Sequence, residues 1–354
     1  MRRVMAGILA IPLVTGCASS VAYSPSPAEA KPPAAAAASP PRHAPDGPNL
    51  YVGEGNHQVI VYAGHSRRVL RRIAAGIEGP RSLAFDSAGN LYVANCFGMC
   101  FSDSSVTVYP NGSSNLALRI SNGIDGPYGL AFDASDNLYV ANAFNNTVTV
   151  YAPGQTQPSR TISSGLNWPL ALAIDKSGNL YVANLSGAVQ VFAPGGSAPI
   201  RTISEGPAEP RSLAFDHRWR LFVGSCGPYV KGRVNVYSAA HSKLIGTISE
   251  HLLCAGRIFF GHTNDLYVVD GTENRVQVYR SSDNLHWKLL RTISRKMSNP
   301  YGAVLDSSDH LFVINCRISC APPRIYVTVY SPESGALRET LRALHAPESL
   351  AFGP

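Results

Sequence analysis

A short segment recurs along the chain at intervals of about 40 to 50 residues, and this repeat constrains the fold more than any other feature. Its first copy, residues 79–95, reads GPRSLAFDSAGNLYVAN. The copy contains an apolar run, a turn-forming stretch of Asp, Gly and Asn, and a β-rich run, which together predict two strands joined by a tight turn. Further copies occupy residues 126–142, 168–184, 209–225, 254–270 and 299–315. A period of this length is typical of propellers and solenoids.

Two more strands complete each repeat. Period-two alternation predicts a third strand, as in residues 106–109 (VTVY). The tetrapeptide RTIS at residues 160–163, 201–204 and 291–294 marks a fourth, outermost strand. Four strands per repeat are typical of a propeller blade.

The seventh copy is split between the two ends of the chain. Residues 346–354 (APESLAFGP) supply its first half, and residues 49–54 (NLYVGE) supply its second half. A linear stack would need polar capping repeats at both ends, whereas these half-repeats complement each other. The sequence therefore predicts an all-β, seven-bladed β-propeller closed by the N- and C-terminal strands in one blade. Six blades is the alternative count.

Two recurring positions have structural explanations. The Tyr or Phe that ends the third strand, from Tyr62 to Tyr330, is expected to pack between neighbouring blades with its phenol on a polar group. The Asp that ends the first strand is expected to form the following turn by accepting backbone N–H bonds. This Asp recurs as Asp86, Asp133, Asp175, Asp216 and Asp306. Carboxylates spaced once per blade should stand far apart, so they do not predict a catalytic cluster.

The repeat resembles the NHL-repeat propellers and their relatives in the gluconolactonase-like and streptogramin-lyase-like groups. The resemblance lies in the Pro-x-[Gly/Ser/Ala]-[Leu/Ala]-Ala-[Phe/Ile]-Asp and Asn-Leu-Tyr-Val-Ala-Asn segments, and it covers residues 49–354. It implies the propeller fold. It does not imply one activity, because these repeats mark strands and turns in proteins of unrelated function.

The N-terminal residues predict export and anchoring. Arg2 and Arg3 precede a short apolar run, residues 4–14, which ends in VTG before Cys17. This order is typical of a signal peptide over residues 1–16, and the run is too short to span a bilayer. Residues 14–17 (VTGC) resemble the lipobox of bacterial lipoproteins, which implies acylation of Cys17. The alternative is an ordinary secretory signal with an incidental Cys.

The Ala-, Pro- and Ser-rich segment that follows would then be a tether, so that residues 17–48 comprise the acylated Cys and the tether, and residues 49–354 the propeller. We predict an extracytoplasmic monomer that is lipid-anchored to the bacterial cell envelope and meets the membrane through its anchor only. The formal charge of +7 comes from scattered Lys and Arg. This distribution does not predict a nucleic-acid partner.

Six cysteines remain after Cys17, and an even set in an exported protein indicates disulfides. The short spacings pair Cys96 with Cys100 and Cys316 with Cys320, while Cys226 and Cys254 would join adjacent blades. The alternative is a zinc site built from the two Cys-x-x-x-Cys pairs, which would need reduced thiols outside the cell.

A ligand site is predicted where loops converge around the central channel. The residue five positions before each turn Asp, or its equivalent, should line this channel mouth. The set is Arg81, Tyr128, Leu170, Arg211, Gly256, Tyr301 and Glu348. Its two Arg, two Tyr and one Glu could hydrogen-bond to and stack on a sugar or an anionic molecule. Ordinary surface variation is the alternative explanation.

No catalytic set is predicted. The resemblance implies that gluconolactonase-like relatives bind a divalent metal through acidic and Asn side chains at the mouth, but only Glu348 is acidic here, and Arg81 and Arg211 would repel a cation. Substitute ligands could come from residues just after second strands, although the Asn and Asp side chains among them are expected to cap hairpin turns instead. These residues are Glu54, Asn142, Asn184 and Asp270.

The histidines show no spacing or partner that would make one of them a positioned base for lyase chemistry. The sequence therefore favours a non-catalytic binding scaffold for a protein, glycan or small ligand, with no cofactor. The alternative is a metal-dependent lactonase or lyase that holds Ca²⁺ or Zn²⁺ at the channel mouth.

Overall fold

A computed structural model describes residues 48–64, 68–96, 104–227, 230–238, 243–282, 286–316, 325–341, 344 and 347–354. Within these ranges the chain is all-β, and 28 strands form seven four-stranded antiparallel sheets. The predicted seven-bladed β-propeller is confirmed, so the count is seven rather than six. No helix in the described ranges has the length and hydropathy needed to cross a membrane.

Each blade contains a first, innermost strand and three strands that follow it towards the rim. The first strands are β4 (Pro80–Phe85), β8 (Pro127–Phe132), β12 (Pro169–Ile174), β16 (Pro210–Phe215), β20 (Arg257–Phe260), β24 (Pro300–Leu305) and β28 (Pro347–Gly353). The second strands are β1 (Asn49–Glu54), β5 (Leu91–Asn95), β9 (Leu138–Asn142), β13 (Leu180–Asn184), β17 (Leu221–Gly227), β21 (Leu266–Asp270) and β25 (Leu311–Cys316).

The outer half of each blade is equally regular. The third strands are β2 (Gln58–Tyr62), β6 (Ser105–Tyr109), β10 (Thr147–Tyr151), β14 (Val189–Phe192), β18 (Val230–Ser238), β22 (Arg275–Ser281) and β26 (Ile325–Tyr330). The fourth strands are β3 (Val69–Ile73), β7 (Leu118–Ile120), β11 (Arg160–Ile162), β15 (Pro199–Ile203), β19 (Lys243–Ile248), β23 (Trp287–Ile293) and β27 (Leu337–Leu341). Blade 1 consists of β28 and β1–β3, and blades 2 to 7 follow in chain order.

The ring is closed within blade 1, as the split repeat predicts. Strand β28 pairs antiparallel with β1, so that Phe352 lies opposite Leu50 and Leu350 lies opposite Val52. The Tyr51 hydroxyl also donates to the terminal carbonyl of Pro354 at 2.8 Å. The two ends of the polypeptide therefore form one sheet.

Apolar side chains hold neighbouring blades together, and one cluster occupies each interface between them. Five of the tyrosines near the ends of third strands, Tyr109, Tyr151, Tyr237, Tyr279 and Tyr330, add a hydrogen bond to this packing. The hydroxyl of Tyr109 donates to the Ala75 carbonyl at 2.5 Å, and that of Tyr237 to the Glu205 carbonyl at 2.6 Å. Each of these carbonyls lies in the loop that leaves the preceding blade, so the expected role of the tyrosines between blades is confirmed.

The turn between first and second strands forms as the recurring Asp predicts. The Asp86 carboxylate accepts the backbone N–H of Asn90 at 2.8 Å. The equivalent bond is present at Asp133, Asp175, Asp216 and Asp306. These carboxylates are committed to their own turns.

Both ends of the described chain lie on the face of the propeller that carries these turns. Asn49, where β1 begins, lies opposite Gly353, where β28 ends. Gly89, in the turn of blade 2, lies against Pro354. The opposite face, where first strands begin and second strands end, is called the mouth below.

Candidate ligand site at the channel mouth

The antiparallel registers bring three segments of every blade to the mouth. In blade 2, Pro80 at the start of the first strand lies opposite Asn95 at the end of the second. Asn95 in turn lies opposite Ser105, where the third strand begins. The residue after Pro80 is Arg81, and its equivalents in the other blades form the predicted ring of mouth residues.

Buried amides fix the loops that enter the mouth. The Asn95 side-chain carbonyl accepts the N–H of Glu78 at 3.0 Å, while its amide group donates to the Thr107 hydroxyl at 3.0 Å. The same loop contact is made by Asn142, Asn184, Asp270 and Asn315. A side chain within the blade thus holds the start of its first strand in place.

The same contacts give Asn142 and Asn184 a role other than the expected capping of hairpin turns. Asn142 and Asn184 bind the loop before the first strand, and Asp270 does so while also accepting the N–H of Glu273 in its hairpin turn. The buried Glu54 carboxylate accepts the Gln58 amide at 2.6 Å. Across the described ranges, no group of three or more His, Cys, Asp or Glu side chains is placed to hold an ion. The four candidate ligands are thus engaged in hydrogen bonds with the protein.

Four of the five predicted polar mouth residues come from consecutive blades. The guanidinium of Arg81 lies 5.1 Å from the centre of the Tyr128 ring, in blade 3. On the other side, the Tyr301 hydroxyl of blade 7 donates to the carbonyl of Pro347, next to Glu348 in blade 1. Arg81, Tyr301 and Glu348 lie close enough for their charges to interact. We call Tyr301, Glu348, Arg81 and Tyr128 the polar arc.

Burial sets the protonation behaviour of the arc. Desolvation raises the pKa of the Glu348 carboxyl, and the positive charge of Arg81 offsets only part of that rise. Desolvation and the Glu348 carboxylate both raise the pKa of Tyr301, so its phenol stays protonated at neutral pH. The Tyr301 side chain is nevertheless 41% exposed. A side chain that is exposed to water and also surrounded by protein atoms is expected at the opening of a channel.

The raised pKa of Glu348 predicts a pH-dependent effect of Glu348→Gln. Because the native pKa lies above the unfolded value, the ionised carboxylate destabilises the folded state at neutral pH, and this cost disappears as the pH falls below the unfolded value near 4.5. We expect the variant to melt at a higher temperature than the natural chain at pH 7.5 and at the same temperature at pH 3.5. The exposed Glu333→Gln on the rim of blade 7 is the charge-matched control. Equal melting temperatures of Glu348→Gln and the natural chain at pH 7.5 would contradict the burial of this charge.

An aromatic pair lies at the mouth in blades 3 and 4, next to the blade-3 end of the polar arc, and is not predicted by the repeat spacing. Trp168 directly precedes the first strand of blade 4, is 42% exposed, and has a φ of 52°. Its ring lies 5.6 Å from that of Phe144. Glycine occupies the same backbone conformation in blades 2 and 3, at Gly79 and Gly126. A bulky side chain at positive φ is unfavourable, so an exposed Trp held there is a candidate for function.

Arg257 is the second residue that the sequence argument missed. It begins the first strand of blade 6, directly after Gly256, the residue that position counting selected. Its side chain is exposed, yet burial lowers the pKa of its guanidinium. It lies at the mouth end of an innermost strand, beside the central channel.

Disulfide-bonded cysteines lie at or directly after the mouth ends of the second strands in three blades. Cys226 and Cys254 are bonded, with their Cα atoms 4.5 Å apart, which confirms the predicted link between blades 5 and 6. Cys96 and Cys316 are also disulfide-bonded and are therefore unavailable as zinc ligands. Their predicted partners, Cys100 and Cys320, lie outside the described residues, as does Cys17. Disulfides indicate an oxidising, extracytoplasmic compartment.

Two of these cysteines also position mouth arginines. The Arg81 Nε donates to the carbonyl of Cys96 at 3.4 Å, and the Arg211 Nε donates to the carbonyl of Cys226 at 2.6 Å. Arg211 lies outside the polar arc, in blade 5, where its guanidinium is 3.6 Å from the carboxylate of Glu209. Both cations are thus oriented by covalently linked loops.

Comparison with solved structures establishes the fold. A Bacteroides fragilis protein provisionally named a 6-phosphogluconolactonase matches with a TM-score of 0.71 at 16% identity, covering 88% of this chain and 99% of that chain. A protein of unknown function from Desulfotomaculum acetoxidans matches with a TM-score of 0.69 at 14% identity, covering 86% and 98%. Hydrazine synthase from Kuenenia stuttgartiensis matches with a TM-score of 0.61 at 16% identity, covering 77% and 88%. No protein-family model and no curated protein sequence matches the chain. At these identities the likeness concerns the propeller alone.

Proposed function

We propose that this protein is an envelope-anchored, extracytoplasmic propeller that binds a small sugar-like ligand or glycan at its channel mouth without catalysis. The observation that carries the proposal is the polar arc, in which a guanidinium, a carboxyl group and two phenols from four consecutive blades surround one end of the channel. Hydroxyl-rich ligands are recognised by such donors and acceptors. The exposed Trp168 next to the arc supplies an aromatic face on which a sugar ring can stack.

The disulfides support the location. A lipid anchor on Cys17 would add membrane attachment, and its test is fractionation of cells that make the natural chain or Cys17→Ala. The natural chain is expected in the membrane fraction and the variant in the soluble extracytoplasmic fraction. Soluble recovery of both would indicate an ordinary secreted protein.

Binding at the mouth is tested with D-glucuronate and D-glucose as probes, titrated into the full chain and followed by ligand-observed NMR. Arg81→Gln is expected to weaken glucuronate binding about tenfold or more, because hydrogen bonds to charged groups contribute about 1.5 to 3 kcal/mol. Tyr128→Ala is expected to weaken binding of both sugars. Arg218→Gln, on the opposite face in the turn of blade 5, is the charge-matched control and should have no effect. Unchanged affinities in both mouth variants would contradict the proposal.

The metal-dependent lactonase or lyase has less support from the geometry, although one structural neighbour carries a lactonase name. The acidic and Asn side chains that could serve as ligands are buried and hydrogen-bonded to backbone or to Gln58. Elemental analysis of the purified chain and assay of D-glucono-1,5-lactone hydrolysis are the corresponding measurements. A stoichiometric divalent ion that is lost in Glu348→Gln, together with hydrolysis, would overturn the non-catalytic proposal.

A further inference from the structure

One position in the first strand, directly after the mouth residue, is occupied by a small side chain in every blade except blade 6. The set is Ser349, Ser82, Gly129, Ala171, Ser212 and Gly302, in blades 1 to 5 and blade 7. In blade 6 the residue is Arg257. Blade 6 therefore carries a large cationic side chain at a position where the other six blades carry a small side chain.

The small residues have a packing reason. A Cβ placed on Gly129 would lie 2.7 Å from the carbonyl oxygen of Leu170, on the first strand of the next blade. The Ser212 hydroxyl accepts the N–H of Ile258 at 3.0 Å, again across to the next first strand. This position therefore faces a neighbouring backbone with little room. A side chain as long as Arg257 has to leave that gap, and the space beside a first strand is the central channel.

The state of Arg257 fits a place inside the channel. Its side chain is reached by solvent, yet the surrounding protein depresses the pKa of its guanidinium through desolvation. It makes no hydrogen bond or ion pair with any described residue. A solvent-accessible guanidinium without a partner among the described residues is available to bind an anion.

We propose that Arg257 is an anion site within the central channel, and that it binds the carboxylate or phosphate group of the ligand. The inference rests on the proposed function, since it assigns an acidic class to the ligand taken at the mouth. The planar guanidinium can donate two parallel hydrogen bonds to either group. The mouth would then contact the hydroxyls of a sugar acid or sugar phosphate while its acidic end enters the channel.

The test uses the full chain with Arg257→Ser, which introduces the residue that blades 1, 2 and 5 already carry and so keeps the repeat pattern. The probes are inorganic phosphate, D-glucuronate, D-glucose 6-phosphate and neutral D-glucose. We expect Arg257→Ser to weaken binding of the three anions at least tenfold and to leave glucose binding unchanged. Arg257→Lys is expected to show an intermediate loss of anion affinity, because lysine keeps the positive charge but cannot donate the two parallel hydrogen bonds of a guanidinium. Arg218→Ser controls for net charge and should bind all four probes as the natural chain does.

Thermal unfolding without ligand gives a readout independent of the probes. Because the exposed Arg257 side chain has no partner among the described residues, Arg257→Ser is expected to keep the melting temperature of the natural chain, so a loss of anion binding in this variant would not reflect unfolding. Equal anion affinities in Arg257→Ser and the natural chain, or no anion binding to the natural chain, would overturn the anion site. If Arg81→Gln and Tyr128→Ala still weaken sugar binding in that case, the proposed function stands without it. Anion binding that depends on Arg257 alone, with no effect of the mouth variants, would support the anion site and contradict the proposed function.

Discussion

A chain that lacks residues 347–354 is expected to lose its cooperative folded state. The deletion removes the whole of β28, the first strand of blade 1, and leaves the inner edge of β1 unpaired. It also removes Leu350 and Phe352 from the cluster between blades 7 and 1. Burial of each large apolar side chain contributes about 1.5 to 3 kcal/mol, and domains are stable by only about 5 to 15 kcal/mol. Circular dichroism and urea unfolding of the truncated chain measure the loss.

A circular permutant tests whether the truncated chain loses stability because the ring is open, since the permutant keeps every strand of the propeller. Because Asn49 lies opposite Gly353, a short linker can join the two chain ends, and a new start can be placed after Gly154, where a glycine faces open space. This permutant keeps every strand and is expected to unfold cooperatively, as the natural chain does. A cooperative transition of undiminished midpoint in the truncated chain would show that β28 does not close the ring.

Replacing the inter-blade disulfide by Cys226→Ser and Cys254→Ser is expected to lower the free energy of unfolding by about 3 to 4 kcal/mol. The two cysteines are 28 residues apart in sequence, and a crosslink over a loop of this length restricts the unfolded chain by roughly that amount. The melting temperature should fall by roughly 5 to 10 °C. Differential scanning calorimetry under oxidising conditions is the measurement.

Reduction of the double variant provides the control. Any further loss of stability on adding reductant reports the disulfides of Cys96 and Cys316, which the substitutions leave intact. The natural chain under reductant should lose more stability than the double variant does under oxidising conditions. A double variant as stable as the natural chain would show that blades 5 and 6 are held together by apolar packing alone.

The seven-bladed fold could be predicted because the turn residues, the strand pattern and the split repeat all indicate the same architecture. Turn-forming Asp residues, period-two strands and one aromatic per blade recur in register, and the split repeat identifies closure without any long-range contact being known. What the repeat specifies is backbone geometry. For this reason, counting five residues back from each turn Asp or its equivalent could also predict that Tyr301, Glu348, Arg81 and Tyr128 lie at one end of the channel.

The missed residues depend on information that repeat spacing does not contain. Trp168 is a candidate functional residue because it has a positive φ. Gly79 and Gly126 have a similar φ at the same position of earlier copies, where glycine causes no strain. Arg257 lies in the copy at residues 254–270, one residue beyond the counted Gly256, and its place beside the channel is seen only when the seven first strands are assembled into a ring. Comparing residue size at every repeat position, rather than at one, would have found it. Arg211 lies in blade 5, away from the four blades of the arc, and is ion-paired with Glu209 of its own blade.

The position where the chain enters the ring affects which face of the propeller would be turned towards a membrane. Asn49 enters on the face that carries the hairpin turns, which is opposite the mouth. A lipid attached upstream at Cys17 would therefore hold that face towards the bilayer and direct the polar arc away from it. Ligands would approach from the aqueous side without passing between protein and membrane, so even a long polymer could thread one end into the channel.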